Sequence, residues 1–286
     1  MNRRIGYLWA LIIGLFVLSS YSIGCLNNGS NNNAADDDIN LDDDADDDSD
    51  DDASRQSCEP KNYAIQVIKY HHAPNGGFGE EFLPDNVIGP PAGNGEIAPQ
   101  ISPAELFSLG DGGYIILKLG RKVVDGDGPD FIVFENPFFK GGNPDNVFIE
   151  AAVVDVSQDG TDWHRFPFDY EPNGENPWSN PDNFSGFAGI NPVYANCDPK
   201  KFTDPLDTSK SGGDLFDLAD VGLDWIAYVK IIDTGNAATY PDSQIYDSDG
   251  DPVDDTGNHG FTSPPTAGFD LDAVGVINGG DELEPD

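Results

Sequence analysis

Residues 125–136 read DGDGPDFIVFEN, a turn rich in Gly and Asp followed by four apolar residues and Glu135. Gly and Asp turn a chain sharply, and Phe, Ile and Val suit the pleated surface of a sheet. Successive side chains along a strand point to opposite faces, yet Phe131, Ile132, Val133 and Phe134 are all apolar. A strand of that kind needs cover on both sides, which fits the interior of a β-sandwich.

Further strands are predicted on either side. YAIQVIKY (residues 63–70), YIILKL (114–119), FIEAAVVDVS (148–157), WIAYVKII (225–232) and LDAVGVI (271–277) are short, β-branched or aromatic, and bounded by Gly, Asp, Asn or Pro. Helical signals are few. SPAE at 102–105 has the pattern of a capped single turn, and DLFDLADV at 214–221 reads as one or two helical turns. Neither is long enough to cross between parallel strands, so the expected class is all-β, an antiparallel β-sandwich or jelly roll with short helical turns.

Composition narrows the partners. The chain has 286 residues, 52 Asp and Glu against 14 Lys and Arg, and a formal net charge of −38. Fourteen dispersed cations cannot supply the basic patch that a polyanion, such as nucleic acid or an acidic membrane, requires, so a polyanion partner is not expected. The excess is uneven, because 12 Asp and no cation lie in residues 34–53. Residues 58–286 still carry 40 acids and 11 bases.

The first 24 residues read as an export signal, with Arg3 and Arg4 ahead of an apolar stretch at 5–18. Ser22, Ile23, Gly24 and Cys25 resemble the cleavage and lipidation site of a bacterial lipoprotein, with Ser22 where Leu is usual. An uncleaved anchor is the other reading, since residues 5–24 are about long enough to span a bilayer. Either one places the remainder outside the cytoplasm. The lipoprotein resemblance implies a lipid anchor on Cys25 at the cell envelope, facing the outer membrane or cell surface. Residues 25–57 are then an extended Asp-rich tether, too charged to collapse, leading into a domain at 58–286. With Cys25 taken by lipid, Cys58 and Cys197 remain as a pair in an oxidising compartment, and a disulfide between them is expected.

VDVSQDGTDW at 154–163 and YVKII at 228–232 resemble strands of discoidin-like, galactose-binding-like jelly rolls. LGDGG at 109–113, DGDGPDFIVFEN at 125–136 and GFDLDAVGV at 268–276 resemble a bacterial family of exported cell-surface proteins and lipoproteins. FLPDNVIGPPAG at 82–93, FDLA at 216–219 and IYD at 245–247 extend the likeness over most of residues 63–278. The resemblance implies the sandwich fold and a place on the cell surface, and no reaction.

Clustered carboxylates on turns are the main chemical signal, and they point to Ca²⁺, which takes six to eight oxygen ligands. Asp125, Asp127 and Asp130 share one Gly-rich turn; Asp270 and Asp272 alternate on one strand; Asp247, Asp249 and Asp251 have the spacing of half an EF-hand loop. In related carbohydrate-binding jelly rolls the last strand carries an acid that holds a structural calcium, and Asp270-Leu271-Asp272 resembles that motif. Glu135 is expected to support the Asp125–Asp130 turn. The segment at 169–207 sets Tyr170, Trp178, Phe184 and Phe187 among Asn, Pro and Gly. Tyr170 and Trp178 are expected to stack on a sugar ring, and Phe184 and Phe187 to pack the loop onto the sandwich.

There is no HExxH, Walker lysine or GxSxG in the chain. The expected function is a surface-tethered, calcium-stabilised, non-enzymatic module that binds an extracellular glycan. The alternatives are an adhesive or structural protein bound to another envelope protein, and a glycan hydrolase using Glu135 and Glu150.

Overall fold

Phe131 and Val133 face one core cluster, while Ile132 and Phe134 enter a second with Val193, Ala195 and Ala273. The unbroken apolar run is therefore covered on both sides. The computed structural model describes residues 56–236, 240–260 and 263–286. The signal segment 1–24, the lipidation site Cys25 and nearly all of the tether at 25–57 lie outside the described residues.

The strands are β1 (Ala64–His71), β2 (Phe107–Ser108), β3 (Tyr114–Val124), β4 (Phe131–Phe134), β5 (Phe138–Phe139), β6 (Val147–Phe148), β7 (Ala152–Ser157), β8 (His164–Arg165), β9 (Asp169–Tyr170), β10 (Phe184–Ser185), β11 (Asp214–Phe216), β12 (Trp225–Asp233), β13 (Asp270–Leu271), β14 (Ala273–Val276) and β15 (Gly279–Glu282). All of their pairings are antiparallel. A six-stranded sheet runs β1-β3-β12-β7-β8, with β15 on the far half of β3, and a three-stranded sheet runs β11-β4-β14.

The core lies between these two sheets. Ile115, Leu117 and Leu119 of β3, Val229 and Ile231 of β12, and Val154 and Val156 of β7 meet Phe131, Val133, Phe216, Val274 and Val276 from the smaller sheet. Each such side chain contributes about 1.5–3 kcal/mol by leaving water. Phe131 stacks on Phe216 at 5.1 Å, and Phe166 meets both edge-on. The protein is thus an all-β antiparallel sandwich.

One expectation needs correcting. Residues 214–221 do not form a helix of one or two turns: Asp214–Phe216 is β11, and Leu218–Asp220 is a single 3-10 turn capped by Asp217, whose carboxylate accepts the Ala219 N–H at 2.9 Å. Phe216 is drawn into the sandwich core, and that burial outweighs local helical preference.

Cys58 and Cys197 form the expected disulfide, with Cα atoms 6.0 Å apart across 139 residues of sequence. Closing so long a loop restricts the unfolded chain, so replacing both cysteines by Ser is expected to cost about 5 kcal/mol, read as a lower urea midpoint. An unmoved midpoint would show the bond to be energetically idle.

Candidate functional site

The ends of three segments converge beside the sandwich. Glu135 leaves β4, Glu150 precedes β7, and Asp270 opens β13. Pairing of Ala273 with Phe134 lays β14 along β4, which carries Asp270 up to Glu135, and the Asp270 N–H donates to Glu135 Oε1 at 3.2 Å. Glu150 is fixed by its neighbours: the Ile149 carbonyl accepts the Thr256 N–H at 2.9 Å, and the Ala151 N–H donates to Asp255 Oδ2 at 2.8 Å.

All three carboxylates are buried, and one oxygen from each lies within 4.8 Å of the others. Asp270 Oδ1 accepts the Ser108 hydroxyl and Oδ2 accepts Asn136 Nδ2 at 3.3 Å. Glu150 Oε1 is buried with no hydrogen-bond partner. Leaving a buried acceptor unsatisfied costs about 1–3 kcal/mol, more when it is charged.

Burial and mutual repulsion favour the protonated forms. Glu135 is raised well above the usual carboxylate range by burial and then by Asp270. Glu150 is raised likewise by burial, then by Asp270, Glu135, Asp255 and Asp233. Burial pushes Asp270 up to about 7, against the opposing bonds from Ser108 and Asn136. The charges that these groups would carry in ionised form are all of one sign. The donors are all hard oxygens, one from each carboxylate, of the kind that Ca²⁺ takes and unlike the nitrogen and sulfur sets that zinc prefers.

The group opens outward on one side. Glu150 and Asp270 lie at a cavity of about 240 Å³ walled by Phe78, Phe138 and Phe148, with Gln100 and Asn136 as polar lining. Phe138 and Phe148 are opposed across β5 and β6 and stack at 5.2 Å. The 3-10 turn Thr256–His259 ties this floor to the aromatic loop. A β-carbon at Gly257 would stand 2.9 Å from Glu150 Oε1, so a larger residue there would push that carboxylate aside, while His259 stacks on Trp178 at 3.8 Å.

The residues expected from sequence are distributed differently. Asp270 belongs to the group with Glu135 and Glu150, but Asp272 does not; both its oxygens accept the Ala92 N–H at 3.1 Å. Asp125 and Asp130 come together with Asp217, leaving exposed Asp127 outside. Asp130 already accepts three hydrogen bonds, from Gly126 N–H and Asn278 Nδ2 on Oδ1 and from Leu218 N–H on Oδ2. Asp247 Oδ1 accepts the N–H groups of Asp249 and Asp251, closing a turn on itself.

Glu135 does not support the Asp125–Asp130 turn, since it sits at the other end of β4 against Asp270. Tyr170 is not an open stacking platform. It is 2 % exposed, packed with Phe184, Phe187 and Val153 because its strand pairs β10 and turns the ring inward. Trp178 is half-buried, one ring face against His259. Glu150 was not among the metal-ligand candidates drawn from the sequence, although a lone carboxylate inside FIEAAVV is a signal that something unusual holds it.

Neither a protein-family model nor a curated protein matches this chain. The site is therefore read from its own geometry.

Proposed function

We propose that this protein is a non-enzymatic binding module, exported and tethered to the cell envelope through a lipidated Cys25, that uses Ca²⁺ to hold an extracellular carbohydrate. The observation carrying this reading is the unpartnered Glu150 Oε1 within a buried three-carboxylate group at the floor of an aromatic-walled cavity. Glu135, Glu150 and Asp270 would hold the ion. Sugar C–H faces pack against Phe138 and Phe148, and hydroxyls are met by Asn136, Gln100 and the ion's remaining sites. The likeness to galactose-binding-like jelly rolls supports the ligand class by analogy of fold alone.

Calcium titration by calorimetry, with a glycan array run with and without Ca²⁺, tests this. Glu150→Gln is expected to weaken Ca²⁺ binding at least about tenfold, whereas Asp127→Asn leaves it unchanged. A blank array for a protein that binds Ca²⁺ would favour an adhesive role toward another envelope protein. Calcium binding unaltered by Glu150→Gln would remove the ion from this site.

A second reading has its own observation. Glu150 and Asp270 are close carboxyls at one cavity with pKa values raised, the arrangement from which a glycan hydrolase draws a general acid and its partner. Glycan turnover abolished by Glu150→Gln would establish it over simple binding.

A further inference from the structure

The cations of the folded domain are not dispersed. Along β3 the residues Ile115, Leu117 and Leu119 point into the core, so Tyr114, Ile116 and Lys118 point away from it, and on β12 Tyr228 and Lys230 do the same. The register sets one row across five strands: Lys69 beside Ile116, Ile116 beside Lys230, Lys230 beside Asp155, and Asp155 beside Arg165. Lys118 lies opposite Tyr228 in the next row. With Lys122, five of the domain's 11 cations share the outer face of the six-stranded sheet.

Rings alternate with these charges. Lys69 and Lys230 flank the Tyr114 ring at 5.7 and 5.5 Å from its centre, and Lys122 lies 4.7 Å over Trp225. Asp155 is the one acid in the row, and it is held bidentately by Arg165 at 2.6 and 3.1 Å with Lys230 at 3.7 Å. Lys118 and Lys122 take carboxylates from the end of this same chain, Asp286 and the exposed Asp281. Among the described residues no carboxylate pairs with Lys69.

We propose that this face binds an acidic polysaccharide, a chain of uronic-acid pyranoses. Its carboxylates pair with Lys69, Lys230 and Lys122, and its C–H faces lie on Tyr114 and Trp225. Cations alone would suit any anion, but cations interleaved with half-exposed rings suit a polymer in which every unit carries both a carboxylate and an apolar face. The acidity of the rest of the molecule is no bar, because charges beyond about 8 Å are screened at physiological salt. Asp281 and Asp286 show the chemistry the face accepts, and an acidic ligand exchanges with them. This surface is independent of the Glu135–Glu150–Asp270 site.

The test is affinity of the full chain for polygalacturonate and for its fully methyl-esterified, uncharged form. The acidic polymer is expected to bind at least about tenfold more tightly, and to weaken about tenfold between low and physiological salt. Lys69→Gln with Lys230→Gln should lower affinity about tenfold without altering the circular dichroism spectrum, and Asp281→Asn should raise it. Equal binding of both polymers, or an unaffected double lysine variant, overturns the proposal. So does binding lost in Glu150→Gln, which would place the polymer at the ion site, and so does equally tight binding of poly-aspartate, which would assign the face to acidic peptides.

Discussion

Stripped of divalent cations, the protein will lose stability as pH rises from about 5 to about 8, and added Ca²⁺ will restore it at the upper end and hardly at the lower. The sign follows from the buried acids. Asp270 is pushed up to about 7, and Asp214 and Asp233 to about 6, in each case by burial first. Glu135, Glu150, Asp255 and Asp272 are raised as well, again chiefly by burial. In the unfolded chain such groups titrate near 4. Between the unfolded and folded values the native state holds more protons than the unfolded one, so its stability falls with each step upward in pH.

For Asp270 the window runs from about 4 to about 7, and at about 1.4 kcal/mol per unit it accounts for roughly 4 kcal/mol. Acids shifted the other way act only in more acidic solution. Asp207 is lowered to about 2 by Lys210 and Ser209, and its contribution is lost as pH falls below about 4. Calcium reverses the upper slope because it takes the carboxylates in ionised form, releasing protons as it binds. At a hundred times its dissociation constant it adds about 2.7 kcal/mol. Melting temperatures in EDTA and in Ca²⁺ at several pH values measure both effects. A melting temperature that stays flat in EDTA, with no separation on adding Ca²⁺, defeats the ion assignment.

Phe131 to Phe134 made the fold legible, because four consecutive apolar residues between turns need cover on two sides: the core between the sheets covers Phe131 and Val133, and Val193 and Ala195 cover Ile132 and Phe134. The candidate site was far less legible. Glu135, Glu150 and Asp270 stand at distant points in the sequence, and only the β14–β4 register and the segment before β7 bring them together. Spacing along the chain can suggest a metal loop only when the ligands are local. It pointed to Asp125 and Asp130, which do come together with Asp217, to Asp270 without its two partners, and to Asp247, Asp249 and Asp251, where Asp247 closes a turn on the N–H groups of the other two. Composition likewise counts cations without placing them. The basic row from Lys69 to Arg165 exists only through strand register.

The same distinction, between an acid that recruits an ion and one that fastens the backbone, underlies the largest single-residue effect expected here. Asp233, at the end of β12, accepts three backbone N–H groups from three separate segments: Gly112 at 2.7 Å and Gly235 at 2.8 Å on Oδ1, and Phe269 at 2.8 Å on Oδ2. It joins the turn before β3, the continuation of β12 and the approach to β13. Asp233→Ala leaves those donors unpaired, two of them fully buried, at about 1–3 kcal/mol each. The sum, about 5 kcal/mol, approaches the whole stability of many domains, so the variant should be largely unfolded at 37 °C. Asp233→Asn separates the lost bonds from the lost charge. Its carbonyl oxygen can still serve Gly112 and Gly235, but its NH₂ then faces the Phe269 N–H, donor against donor, so it should recover about half of the deficit. Below pH 6 the wild-type carboxyl takes up a proton itself, since its own value is raised to about 6, and the gap between wild type and Asn should narrow. Urea midpoints for the three proteins at pH 5 and pH 7.5 measure this. If Ala proves no worse than Asn, the three hydrogen bonds are not what Asp233 contributes.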